Sequence, residues 1–143
     1  MNKKIEISGN GSSLSIKVNG YENPRAQNSH DANWLRCSVS LLGERFSAQF
    51  DAFFTTHDFF NFADELRKIL NDLTGQAIFV CDEDAFHIKI EFTKTGAANV
   101  ETIAKIYTQT KLMIIFSFAS DPTFLGRTLE ELDDLMQEYP IKN

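Results

Sequence analysis

Trp34-Leu35-Arg36-Cys37-Ser38-Val39-Ser40-Leu41-Leu42 places Leu35, Cys37, Val39 and Leu41 on one side of an extended chain and Arg36, Ser38 and Ser40 on the other. That is the period of a β-strand. After the turn Gly43-Glu44-Arg45, Phe46, Ala48, Phe50 and Ala52 alternate with Ser47, Gln49 and Asp51, so a second strand with one dry and one wet face returns beside the first. From Phe59 the spacing lengthens: apolar residues at 59, 62, 63, 66, 69, 70 and 73 form the stripe of an amphipathic helix. Thr55 with Asp58 three residues on is its N-terminal cap. Its stripe needs an apolar bed, and the Phe46/Ala48/Phe50/Ala52 face is the nearest one in sequence.

Outward from this segment the same two periods recur. Ile5 and Ile7, then Leu14, Ile16 and Val18, alternate with polar residues around Gly9-Asn10-Gly11 and predict a hairpin. Residues 20–33 have no period and are rich in turn formers, a loop suited to partner contact. Ala77-Ile78-Phe79-Val80-Cys81 is apolar on both faces, the mark of a strand inside a sheet. Phe86, Ile88, Ile90 and Phe92 alternate cleanly with His87, Lys89, Glu91 and Thr93. Residues 99–108 favour a strand on their β-formers, with a helix as the alternative. Lys111–Phe118 reads as a strand with Leu112, Ile114, Phe116 and Phe118 on one face and Met113 and Ile115 on the other. Asp121-Pro122 opens the last helix, which Pro140 ends.

The prediction is an α+β fold in one domain, 1–143: a single antiparallel meander sheet of about seven or eight strands, with two helices, at about 56–74 and 122–139, packed on one face. A chain of 143 residues with 43% hydrophobic and 24% charged residues has the composition of a globular protein. Its 13 phenylalanines suit a sheet core.

The chemistry the residues exclude is broader than the chemistry they suggest. A net charge of −6 opposes binding to nucleic acid, which needs basic side chains to displace counterions. No segment is long and apolar enough to span a membrane. Lys3-Lys4 precedes a short alternating run, unlike a signal peptide, and Cys37 and Cys81 lie in apolar strands as reduced core thiols, so a cytoplasmic protein is expected. His30, His57 and His87 lack metal spacing, and both cysteines lack the electropositive setting of a nucleophile. Asp82-Glu83-Asp84 lacks the pattern of a calcium loop and reads as an acidic turn. We therefore assign no catalytic, cofactor-binding or metal residues and expect no cofactor. For contact with a protein partner the candidates are Tyr21, His30, Asp31 and Trp34 around the loop, and Asp82, Glu83 and Asp84.

Trp34 at the head of a strand, the Gly43-x-x-Phe46 turn, the helix ending in Leu73-Thr74-Gly75-Gln76-Ala77, and Phe116-Ser117-Phe118 with Asp121-x-Thr123 and a closing helix to Pro140-Ile141 together resemble the WapI-like immunity proteins of bacteria. The resemblance spans residues 34–141. It implies a cytoplasmic, non-enzymatic binder made beside a toxin gene, which neutralises the toxin by occluding it. An acidic inhibitor suits a basic toxin domain. Two other readings compete with it. One is a ligand binder or enzyme with a pocket on the concave sheet face, where His87, Lys89 and Glu91 would converge. The other is a homodimer formed through an edge strand.

Overall fold

The computed structural model describes residues 3–81 and 85–143. Its strands fall into two separate four-stranded antiparallel sheets, each a simple meander followed by a helix. The first sheet is β1 (Lys3–Gly9), β2 (Ser12–Tyr21), β3 (Trp34–Leu42) and β4 (Ser47–Thr55), with a single-turn helix α1 (Ser29–Ala32) before β3. Helix α2 (Thr56–Asp72) follows, then β5 (Gln76–Val80), β6 (Phe86–Phe92), β7 (Ala98–Tyr107), β8 (Lys111–Ser120) and helix α3 (Pro122–Glu138). The 99–108 stretch is strand as far as Tyr107, and both long helices start where their caps predict. Thr55 accepts from the Asp58 amide, and the Asp58 carboxylate accepts from the Thr55 amide. Asp121 accepts from the Phe124 amide, with Pro122 in the first turn.

The expected single sheet is not formed. The break falls at α2, which carries the chain away from β4 and delivers β5 to a new sheet. Nor do the helices share one sheet face. Helix α2 packs on β5 of the second sheet, α3 packs on β1 of the first, and the two helices pack on each other. The stripe of α2 touches the β4 face only at its end, where Phe59 meets Phe54 at 6.1 Å, and the second sheet takes the rest of that face. Phe46 meets Phe116 at 5.1 Å, Phe50 meets Phe86 at 5.9 Å, and Phe54 meets Phe79 at 4.9 Å between ring centres. Most of the phenylalanines fuse the inner faces of the two sheets into one continuous core.

Residues apolar on both faces predicted an internal β5, yet β5 is an edge. Covering by α2 resolves the conflict: Glu65 Oε1 accepts from the Ile78 amide at 2.8 Å, supplying the bond a neighbouring strand would give. The other half repeats this device. Edge strand β1 is covered by α3, where Glu131 Oε1 accepts from the Glu6 amide at 2.9 Å and the Thr128 hydroxyl donates to the Glu6 carbonyl at 2.6 Å. Both helices have 17 residues, and Glu65 and Glu131 occupy the same place in each. Buried Phe59, Phe62, Leu66 and Ile69 of α2 likewise stand where Leu125, Thr128, Leu132 and Leu135 stand in α3. The chain is a structural repeat whose side chains differ. The seam between the halves is tight at β1 and β8: the Ser120 hydroxyl donates to the Ser8 carbonyl at 2.6 Å, and a Cβ at Gly9 would collide with the Ala119 carbonyl oxygen.

Two polar groups in this frame generate predictions. The Thr102 hydroxyl is fully buried and has no hydrogen-bond partner. Thr102→Val, which replaces that hydroxyl with a methyl, is expected to stabilise the protein by about 1 kcal/mol in urea unfolding. The carboxyl of Glu131 is raised above the usual range, chiefly by burial and further by repulsion from Glu6 and Asp134, against the Glu6 amide and Lys4. A carboxyl raised in the folded state holds its proton more tightly there than in the unfolded chain. It therefore withdraws stability as pH rises from the ordinary Glu value through the raised one, and leaves stability untouched below both. Glu131→Gln keeps an acceptor for the Glu6 amide, so its stability advantage over the parent should grow across that window. Paired thermal melts at successive pH values measure it.

Candidate binding surfaces

The loop before β3 is organised by Asn33, which is only 1% exposed. Its side-chain amide donates to the carbonyls of Ser29 at 2.6 Å and Lys142 at 2.8 Å. Its Oδ1 accepts from the Thr56 hydroxyl and the Lys142 amide, both at 2.8 Å, and its backbone carbonyl accepts from the Thr56 amide at 2.9 Å. One side chain thus ties α1, the start of α2 and the C-terminal segment together. Reading by period misses it, because a buried asparagine in a loop has the same sequence appearance as an exposed one.

Around this knot the loop candidates separate. Tyr21, which lies in β2, is taken up by the C-terminal segment. Its hydroxyl donates to the Pro140 carbonyl at 3.1 Å, its ring meets Tyr139 edge-on, and the Lys142 ammonium lies 3.7 Å from the ring centre. Burial, then Tyr139 and Glu138, push its phenol above the usual range. Asp31 is exposed, and Asn28 holds it at both ends: the Asp31 amide donates to Asn28 Oδ1 and Asn28 Nδ2 donates back to its carboxylate. His30 and Trp34 meet edge-on at 6.2 Å. Asp82, Glu83 and Asp84 lie outside the described residues.

His30 also borders an open cleft of about 410 Å³ with Ser29, Asn33, Thr55, His57, Asp58 and Asn61. The cleft brings His30 and His57 to one place, which their sequence positions did not suggest. Asp58 is engaged in capping α2. Among the described residues, no group of three or more His, Cys, Asp or Glu side chains is arranged to hold a metal ion. Cys37 is buried and unpaired, its thiol pushed up to about 12 chiefly by burial, which makes it a poor nucleophile.

A second surface is the outer face of the β5–β8 sheet. Val80, His87, Ile103 and Ile115 lie in register across all four strands, and Met113 stands in the next row opposite Lys105. On the outer face of the first sheet the corresponding rows are polar: Lys4, Lys17, Ser38 and Asp51, then Glu6, Ser15, Ser40 and Gln49. The two halves share a frame and present different surfaces. His87, Lys89 and Glu91 point outward along a single strand instead of converging, so they build no ligand pocket.

The fold and these surfaces define a two-sheet α+β protein made of a repeated β-β-β-β-α unit. The chain belongs to the WapI-like immunity protein family, which matches residues 4–140 and so includes the first hairpin that the sequence resemblance left out. No curated protein matches it. Among solved structures it is similar to the plant transcriptional regulator PBF-2, with a TM-score of 0.49 and 10% identity, over 97% of this chain and 81% of that one. No helix among the described residues is long and apolar enough to cross a membrane.

Asn33→Ala removes four side-chain hydrogen bonds and strands the Thr56 hydroxyl and the Lys142 amide in a buried corner. It should cost about 2–3 kcal/mol in urea unfolding. Hydrogen exchange should rise together in residues 29–33 and 139–143, a coupling that a local defect in α1 alone would not produce.

Proposed function

We propose that this protein neutralises a toxin in the bacterial cytoplasm by binding it as a folded partner, without catalysis. The observation that carries this reading is the family match over nearly the whole chain. The framework supports it, because polar groups near the loop are tied up in holding the corner together. The contact we propose is centred on Trp34, His30 and Asp31, an aromatic pair with an adjacent carboxylate, of which His30 borders the open cleft. Tyr21 acts beneath it as a support held by the C-terminal segment. A basic toxin domain suits the net charge of −6, since complementary charge speeds encounter and suppresses wrong partners.

The test is to mix the purified protein with the polypeptide encoded immediately upstream of it and to express both in cells. A complex on size-exclusion chromatography and protection from the toxin are expected. Absence of both rejects the reading. Within the complex, Trp34→Ala should weaken binding by at least tenfold, as central aromatic contacts do. Raising the salt concentration should slow association more than it speeds dissociation.

A further inference from the structure

Strand β8 has the side-chain pattern of an internal strand and the position of an edge. From Leu112 to Phe116 every residue is apolar, on both faces, and Leu112, Met113 and Ile115 are 47%, 55% and 63% exposed. The sheet has the same mismatch at its other edge, but there α2 covers β5 and Glu65 bonds to its backbone. At the far end of β8, Ser120 and Ala119 abut β1. Between Leu112 and Phe116, among the described residues, only β7 gives the strand hydrogen bonds. A long, flat, apolar strand edge is a template for pairing with another strand.

We infer that this segment pairs antiparallel with the same segment of a second copy, so that two four-stranded sheets join into one of eight strands. A second copy fits for two reasons. First, the segment complements itself: with Ile114 opposite its own mate, Met113 meets Ile115, Leu112 meets Phe116 and Lys111 meets Ser117, so apolar groups face apolar groups and no like charges oppose each other. Second, copies of net charge −6 repel, and Lys111 is the only charge between residues 111 and 117, so no carboxylate on this segment opposes the approach. The pairing needs no other protein and is independent of the toxin reading above. It also carries the row of Val80, His87, Ile103 and Ile115 across the joint to Met113 of the second copy.

The test uses the full chain by itself. Light scattering coupled to chromatography, over a series of loading concentrations, should give twice the 16.2 kDa mass of one chain. Ile115→Lys, at an exposed position, should halve that mass with an unchanged circular dichroism spectrum. Ile114→Cys should be joined to its mate by a short bis-maleimide, whereas Thr95→Cys, in the turn between β6 and β7, should not. A chain that stays monomeric at every concentration overturns the inference. So does a dimer that survives Ile115→Lys and yields no crosslink at position 114.

Discussion

The structure depends on an exchange of cover between its two halves. A four-stranded antiparallel meander leaves two bare edges and one apolar face, and that face must be buried against another layer. Here the helix that follows each meander does not fold back on its own sheet. It lies along the first strand of the other sheet, and a glutamate in the middle of the helix accepts a backbone hydrogen bond there, Glu65 from Ile78 and Glu131 from Glu6. A carboxylate is a good substitute for a missing strand, because its oxygens accept strongly and its side chain spans the gap from helix to edge. Neither half can bury its helix or close its edge alone. The contacts between α2 and β5 and between α3 and β1 therefore make folding of one half conditional on the other.

The elements were readable in the sequence, and the partition of the sheets was not. Alternation specifies which face of a strand is dry, and the Thr55–Asp58 and Asp121–Pro122 signals specify where helices start; both are local properties of the chain. Whether β5 rejoins β4 depends on where α2 travels, and the stripe of α2 fits any apolar surface equally well. The clue lay in a discrepancy. Ile78 and Val80 made β5 look internal, when a helix was to lie beside it. Both point to the outer face, where Val80 is 48% exposed, so an apolar pattern on both faces does not report whether a neighbouring strand or a helix closes the edge of the strand.

The site was readable to a smaller extent. Tyr21 and Trp34 stood out as aromatics flanking a loop, and His30 and Trp34 do come together. Tyr21, however, turns inward to the C-terminal segment, a partner more than a hundred positions away. Asn33 was overlooked because its importance lies in the four bonds it makes at once, to Ser29, Thr56 and Lys142, and only the folded chain assembles them.

The repeat also shows why its two halves had to diverge. Arg67 of α2 and Asp133 of α3 occupy matching places in their helices, and they form an ion pair at 2.8 Å where the helices meet. Contact between matching positions is what a two-fold relation between halves produces. In an exact repeat such a contact brings together two identical side chains, and two arginines or two aspartates there would repel. Being about half exposed, the pair adds little net stability, so its main effect is to remove that repulsion. The same freedom extends to the outer faces. Once the frame is fixed by inward residues, Lys17 and Ser38 on one sheet and Ile103 and Ile115 on the other are unconstrained by the core. The first face can remain wet while the second carries apolar residues, so a shared frame leaves each half free to present a different surface.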